Sequence, residues 1–568
     1  MRKIRIVLWL CVLLSAALMS LPWLVPHCGW VALIGLVPLL CADHIADING
    51  VRRFWIWHYS FFVIWNAVTT WWVANATLGG AIFAVLANAL QMSLVFGLFR
   101  LSKRRLGGIL PYIFLAVAWI AWERWYLQSA QISWPWLVLG NAFAQSTRSI
   151  QWYEFTGTLG GSAWVWAVNL TIFLMIKAFL EGDWAHWNAK GRVATLVWTV
   201  GVIAFPFAAS AHIYHHYKEV SEGQVPVVIG QPNFDPYEKF ESMTQAEQTS
   251  VLLGLYEQAL PEGEWNGLLL APETFTGDIF LDRIPESRTF RTFQELLQRH
   301  PGASLLFGAS TYQVFQRHSA PSILARKYGD GWLENHNSAI MTDASGRAEV
   351  FHKSKLVVGT ELTPYPKVFV PIDDKLGGVM GRCIGQKEIA CLHLVSEQSD
   401  QSASADRPKA VNPPDRGCRG LRPDAREAAS NGVIAIGCAV CYESVYGEYC
   451  TGYVRKGAQL LTVITNDAWW GDTPGYKQHF SYSCLRAIET RRDLARCGNT
   501  GISAFIDQRG DVLQRGPWWE PAVLSGVVNL NSAQTFFVRY GDITGRICTF
   551  AFLLLLLALV VRLVIHRK

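Results

Sequence analysis

Seven apolar segments, each long enough or nearly long enough to cross a bilayer, dominate the first 212 residues: Ile4 to Leu21, Trp23 to Cys41, Phe54 to Trp72, Gly80 to Leu98, Ile109 to Leu127, Gly161 to Leu180 and Val193 to Ala211. An eighth, Ile547 to Ile565, closes the chain. Between the seventh and eighth the pattern changes. Short apolar runs rich in β-branched residues, such as VPVVIGQPN (225 to 233), GLLLAPE (267 to 273), SLLFGAST (304 to 311), NSAIMTD (337 to 343), VIAIGCAVC (433 to 441), QLLTVITND (459 to 467) and SAFIDQRG (503 to 510), read as buried strands. Amphipathic stretches at 245 to 259 and 288 to 299 separate several of them, so a layered α/β domain is expected over 222 to 530. The predicted organisation is a membrane domain over 1 to 212, this globular domain, and a last span over 547 to 565. From 373 to 431 the composition turns polar and rich in Ser, Asp, Pro and Arg, which predicts a flexible surface insertion without chemistry.

Composition agrees with a membrane part. Of 568 residues, 51% are hydrophobic and only 17% charged, too apolar for a wholly soluble chain. The basic start Arg2, Lys3 and Arg5 precedes an apolar run that lacks a small-residue cleavage site, so the first segment is expected to be retained. Arg52 and Arg53, then Arg100, Lys103, Arg104 and Arg105, then Lys177, Lys190 and Arg192, and finally Arg562, Arg567 and Lys568 fall on the side of the amino terminus if there are eight spans. By the positive-inside rule that side is the cytoplasm, which puts the globular domain outside, in the periplasm. The net charge of +6 is small for this length, and its basic residues are accounted for by topology; no nucleic-acid signature is present.

Twelve cysteines form no compact metal or disulfide framework; Cys438 and Cys441 make a lone C-x-x-C, and no metal site is expected. Cys383, Cys391 and Cys418, in and beside the insertion, could pair in an oxidising compartment. Cys441 ends an apolar strand and precedes a segment able to turn into a helix, a place where a helix N-terminus would stabilise a thiolate. Two further strand ends carry complementary chemistry. Glu273 closes GLLLAPE, where an apolar setting would raise a carboxyl pKa enough for it to act as a base. Lys353 lies near the end of the strand-and-turn stretch SAIMTDASGRAEVFHKSK and could stabilise both a thiolate and an oxyanion, with Lys355 two residues away.

These residues stand in GQPNFDPYEKF, APET, FHKSKLVVGTELTP, CYESVYGEY, NDAWWGD, QHF, RAIE and GNTGIS, whose order and spacing closely resemble the nitrilase, or carbon-nitrogen hydrolase, superfamily and, within it, the apolipoprotein N-acyltransferases. In the membrane part SWPWLVLGNAFAQ (133 to 145) and GTLGGSAWVWAVN (157 to 169) are similar to stretches of that family. The resemblance implies an α-β-β-α sandwich carrying Glu273 as general base, Lys353 as transition-state stabiliser and Cys441 as nucleophile. It adds Glu361, which could orient Lys353, and Tyr442 and Glu443 beside the nucleophile. Phe240 stands where the family usually has a tryptophan, and Trp469 and Trp470 could line a lipid entrance.

The activity so implied is ping-pong transfer of a fatty acyl chain from a membrane phospholipid, through a thioacyl enzyme on Cys441, to the amine of a diacylglyceryl-cysteine at the start of an apolipoprotein. No metal or soluble cofactor is required, and a monomer in the bacterial inner membrane with both termini cytoplasmic is expected. A membrane-tethered amidase using the same three residues, and a non-enzymatic transporter or receptor with an outer binding domain, are the alternatives.

Overall fold

Each of the eight apolar segments is helical in the computed structural model, which describes residues 2–395 and 432–565. Among the described residues six helices are long and apolar enough to cross a membrane: Arg2–Leu24, Gly29–Ile48, Leu78–Lys103, Tyr153–Leu180, Ala189–His216 and Ile543–Ile565. The helices at the other two expected spans fall short of that standard. Trp55–Thr70 has 16 residues, and in Leu110–Gln128 the charged Glu123 and Arg124 interrupt the apolar run.

Clustering of contacts divides the chain into two units. One comprises Met1–Lys218, Trp470–Glu489 and Thr535–Lys568; the other comprises Glu219–Trp469 and Thr490–Gln534. In the first unit, the ends of the helices that carry basic residues meet. Arg100 and Lys103 pair with Asp43 and Asp47, His44 lies 3.5 Å from Glu181, and Arg562 in the last helix donates to the Arg105 carbonyl at 2.8 Å. This unit also takes in helix Pro474–Thr490, which the sequence groups with the globular region. Its polar side chains satisfy groups that an apolar helical bundle leaves open. Gln478 Nε2 donates to the carbonyls of Trp23 (3.1 Å) and Thr69 (3.3 Å), and Tyr482 to that of Trp136 (2.8 Å). Four residues on, Arg486 pairs with Glu489 at 2.9 Å, and both bond the Thr158 hydroxyl.

The second unit is built on two sheets. Its strands are β1 (Gln224–Gln231), β2 (Gly267–Leu270), β3 (Thr276–Phe280), β4 (Ala303–Phe315), β5 (Arg326–Tyr328), β6 (Gly331–Asp343), β7 (Ala348–His352), β8 (Leu392–Val395), β9 (Val433–Val440), β10 (Leu460–Thr465), β11 (Leu494–Gly498), β12 (Ala504–Ile506), β13 (Val512–Arg515) and β14 (Ala522–Asn529). The first sheet runs β14-β1-β2-β4-β6-β5, with β3 beside β4 and β7 beside β6; the second runs β13-β12-β11-β10-β9-β8. The parallel strands β1, β2, β9 and β10 are the continuous apolar runs of the sequence, as expected of strands buried on both faces.

Helices Gln245–Ala259 and Arg288–Arg299 cover the outer face of the first sheet. Their Leu252, Tyr256, Phe293 and Leu297 pack on Val228, Leu269, Leu305, Phe307 and Ile340 in one buried cluster. The inner faces of the sheets meet closely enough for Cys497 Sγ on β11 to reach the carbonyl of Gly230 on β1 at 3.3 Å. Helix Gly447–Arg455 lies over the second sheet, where a side chain at Gly437 would come within 2.6 Å of Tyr453 Cβ. The layering is therefore the α-β-β-α sandwich.

The polar stretch is ordered in its first part. Asp373, at the end of helix Pro366–Lys375, pairs with Arg382 at 3.0 Å, and β8 is paired antiparallel with β9. The rest, residues 396–431 with Cys418, lies outside the described residues. Cys383 and Cys391 are free thiols rather than a disulfide; Cys391 donates instead to the Tyr453 carbonyl at 3.4 Å.

Candidate active site

The ends of β2 and β7 and the length of β6 bring four polar side chains together. Beyond β2 the chain turns sharply at Ala271-Pro272-Glu273-Thr274, with Thr274 in the left-handed region at φ 46°. This turn lies against Gly308 of β4, which bonds to it on both sides: Gly308 N to the Pro272 carbonyl (3.1 Å) and Phe275 N to the Gly308 carbonyl (2.8 Å). A Cβ at Gly308 would come within 2.5 Å of Glu273 Cα, so glycine is required there. Asn337 lies on β6, and Lys353 follows β7, its backbone N–H donating to the Asn337 carbonyl at 2.8 Å.

Lys353 is 1% exposed and Glu273 6%, so both charges must be compensated inside the protein. Lys353 Nζ donates to Glu273 Oε1 at 2.9 Å and to Glu361 at 3.0 Å. Asn337 Nδ2 donates to the same Glu273 oxygen at 2.8 Å and to Glu361 Oε1 at 2.6 Å. The other Glu361 oxygen accepts from Val357 N (2.8 Å), and Glu273 Oε2 from Asn466 N (3.2 Å). A cation and an amide thus each span two carboxylates. Burial alone would lower the lysine pKa, but the charges of Glu273 and Glu361 outweigh it and hold Lys353 well above its usual value, as an ammonium.

Cys441 leaves β9 on a strained elbow, at φ 51°, a conformation that costs a non-glycine residue roughly 1–3 kcal/mol. It opens a short 3₁₀ turn, Cys441–Val445, and the α-helix follows only at Gly447. The dipole expected at the sulfur therefore does not dominate. Burial, then the negative charge of Glu273, push the thiol pKa well above its ordinary value, with the Lys353 charge opposing. At rest Cys441 is a thiol, and forming its thiolate needs a proton acceptor beside it.

Glu443 ties the lysine loop to this elbow. Its carboxylate accepts from the N–H groups of Ser354 (2.6 Å), Lys355 (3.2 Å) and Val440 (2.8 Å) and from the Tyr449 hydroxyl (2.9 Å). Tyr442 is buried and packs edge-on against Tyr446, 5.3 Å between ring centres. The Lys355 ammonium lies 5.0 Å from the Tyr446 ring, outside the carboxylate pair that holds Lys353. The asparagines of GQPNF, NDAWW and GNTGIS form a scaffold behind Glu273. Asn499 bonds the backbone of Asn233 and Phe234 and reaches Asn466 at 3.2 Å, and Asn466 in turn holds Glu273.

The remaining candidates are dispersed. Trp469 packs on Tyr237 in the second unit (5.8 Å), whereas Trp470 belongs to the first and packs on Trp72 (4.7 Å) and Trp136 (5.7 Å). Phe240 is in helix Pro236–Glu241, with its side chain outside the described residues. Asn337 escapes a reading of the sequence: it lies in the middle of β6, among other polar residues such as Glu334, Asn335, His336 and Ser338 that do not mark it out.

Base, ammonium and strained thiol together suit acyl transfer through a thioester. Residues 212–536 match the family model of the carbon-nitrogen hydrolases, and residues 15–171 match the model for the apolipoprotein N-acyltransferase N-terminal domain. An apolipoprotein N-acyltransferase of Chlorobaculum tepidum is 27% identical over 94% of this chain and 93% of its own. One from Geobacter metallireducens is 27% identical over 95% and 93%. The chain therefore belongs to the carbon-nitrogen hydrolase family, as a member that carries the N-terminal domain of the apolipoprotein N-acyltransferases in front of its hydrolase-like sandwich.

Proposed function

We propose that this acyltransferase moves a fatty acyl chain from a membrane phospholipid to the terminal amine of a diacylglyceryl-cysteine on an apolipoprotein, with Cys441 as nucleophile. Glu273 takes the thiol proton as the sulfur attacks the ester carbonyl. The Lys353 ammonium and backbone amides near Cys441 stabilise the oxyanion. Collapse breaks the ester C–O bond, the lysophospholipid leaves with the proton held by Glu273, and a thioester remains. In the second half the free amine attacks this thioester while Glu273 accepts its proton. The C–S bond breaks, the proton returns to the sulfur, and the product is an amide.

The observation that carries this reading is the buried Lys353 shared by Glu273 and Glu361 in a chain that also has membrane-spanning helices. Both substrates are bilayer-anchored, and such a chain lets the amine reach the thioester before water does. A soluble amide would need no such anchor, and a transporter would need no buried base and cation beside a strained thiol. Glu361 holds Lys353, and Glu443 holds the elbow; Tyr442 and Trp469 are assigned to the wall of the acyl path, and Trp470, packed on Trp72 and Trp136, to a surface for lipid in the first unit. Helix Pro366–Lys375 and the turn after it add exposed Val368, Ile372, Leu376 and Val379, an apolar stripe suited to lipid.

The meeting of the basic ends of the second, fourth, sixth and last apolar helices supports one cytoplasmic side, with both termini there and the catalytic domain in the periplasm of a bacterial inner-membrane protein. The working form is a monomer. Intact-mass analysis of the purified chain with phospholipid tests the reading. A hydroxylamine-sensitive acyl adduct, absent from Cys441→Ala and discharged by a diacylated lipopeptide, is expected. No adduct on the native chain overturns it.

A further inference from the structure

Beside the base lies a second buried cation. Lys239, in helix Pro236–Glu241, is 4% exposed. Its ammonium donates to the carbonyl of Thr274, the left-handed residue next to Glu273. The helix is held in place by Gln248 of the following helix, whose amide donates to the Lys239 carbonyl at 2.8 Å. Gly308 anchors the base turn through Pro272 and Phe275, and Lys239 takes the carbonyl between them.

A neutral donor would satisfy that carbonyl at far lower desolvation cost, because a buried ammonium is unfavourable unless a negative charge offsets it. Glu273 is the charged group that acts on Lys239, while Gln248, facing it from the next helix, is neutral. Burial pushes the lysine down to about 8, with Glu273 opposing. The ammonium is thus still charged at neutral pH.

We propose that Lys239 is a positioning residue of the acyl-transfer site, clamping the strained turn after Glu273 and placing a positive charge beside that carboxylate, the acceptor of the Cys441 proton. This rests on the assignment of Glu273 as base. Lys353 is divided between Glu273 and Glu361, donating to both. With Lys239 uncharged, Glu273 and Glu361 are left with one ammonium between them, and the acceptor of the thiol proton loses that charge support.

The test is the rate of Cys441 alkylation by iodoacetamide, followed by intact mass on the full-length protein in detergent between pH 5 and 9. It uses no lipid, so it is independent of the acyl donor. The native chain should show an acid limb that Glu273→Gln abolishes. Lys239→Arg, which keeps the charge, should keep the limb. Lys239→Gln keeps a hydrogen-bond donor without the charge and should displace the limb to higher pH, by about tenfold in rate at a fixed acid pH per unit of displacement. A limb lost in Glu273→Gln but unmoved in a folded Lys239→Gln overturns this inference alone. A limb that persists in Glu273→Gln overturns the base assignment as well. If Lys239→Gln does not fold, a displaced limb in Lys239→Arg overturns the inference.

Discussion

Asn337 and Lys353 are joined through their backbones at 2.8 Å, and their side chains converge on the same oxygen of Glu273, at 2.8 and 2.9 Å. The antiparallel register of β6 and β7, which pairs Ser338 with His352, brings them to this point. Both then donate to Glu361 as well, so Glu273 is held by the strand pairing rather than by its own loop.

Asn337 is accordingly expected to be indispensable though it does no proton transfer. Asn337→Ala leaves two buried carboxylates with one shared donor fewer, a loss of about 1.5–3 kcal/mol. Asn337→Asp brings a third carboxylate to the same point and should be worse. Thioacyl-enzyme formation should fall by about tenfold to a hundredfold in Asn337→Ala while circular dichroism stays native. Unchanged acylation in Asn337→Ala contradicts this role.

Glu443→Gln should separate the lysine loop from the cysteine elbow. The carboxylate accepts three backbone N–H groups, and an amide turns one acceptor oxygen into an NH₂ that faces donors. The expected result is loss of Cys441 acylation with a lowered melting temperature, and Glu443→Asp should recover neither fully. Differential scanning fluorimetry beside the mass assay distinguishes this from loss of a catalytic group, which would leave stability unchanged.

Gly308→Ala probes the base turn from the opposite side. Its Cβ would meet Glu273 Cα at 2.5 Å, Thr274 N at 2.6 Å and the Pro272 carbonyl at 2.7 Å, all backbone or near it. Overpacking of this kind costs about 1–3 kcal/mol, and the turn can yield only by moving Glu273. Acyl transfer should drop at least as far as stability does; a variant with native kinetics would show that the turn is softer than this packing implies.

A pH effect on stability follows from the stacked rings of His336 and His352, whose centres are 4.1 Å apart. His352 Nδ1 meets Ser338 Oγ at 2.7 Å and His336 Nδ1 the Ile384 carbonyl at 2.8 Å, with Glu334 acting on His336 and Lys353 next along the chain. Burial, and for His352 the charge of His336, lowers both; His352 falls to about 3. A folded pKa below the unfolded one means that the unfolded chain binds the proton first. The stability that His352 contributes is fully present above about pH 6.5 and is lost as pH falls below that toward 3, by about 1.4 kcal/mol per pH unit, and His336 adds in the same direction. The melting temperature should decline between pH 6.5 and 5, and less steeply in His352→Phe. Equal slopes in the two proteins would rule the pair out as its source.

Apolar periodicity was enough to place the apolar helices and seven of the strands, because each depends on which side chains within a few residues avoid water; β11, buried along its length but carrying Arg496, was not legible. Glu273, Lys353 and Cys441 stood out for a related reason, as reactive residues at the ends of apolar runs, and the family resemblance added Glu361 and Glu443. The long-range pairing was not legible. That Asn337 spans two carboxylates depends on β2, β4, β6 and β7 lying side by side, in a register no local stretch encodes. Lys239 reaches the turn after Glu273 across 35 residues of sequence. Trp469 and Trp470, adjacent in the chain, separate because successive residues of a turn point in different directions, and only their tertiary partners decide where each ring packs. The chemistry was written residue by residue; its alignment came from strand pairing and from the cost of burying charges that must then find one another.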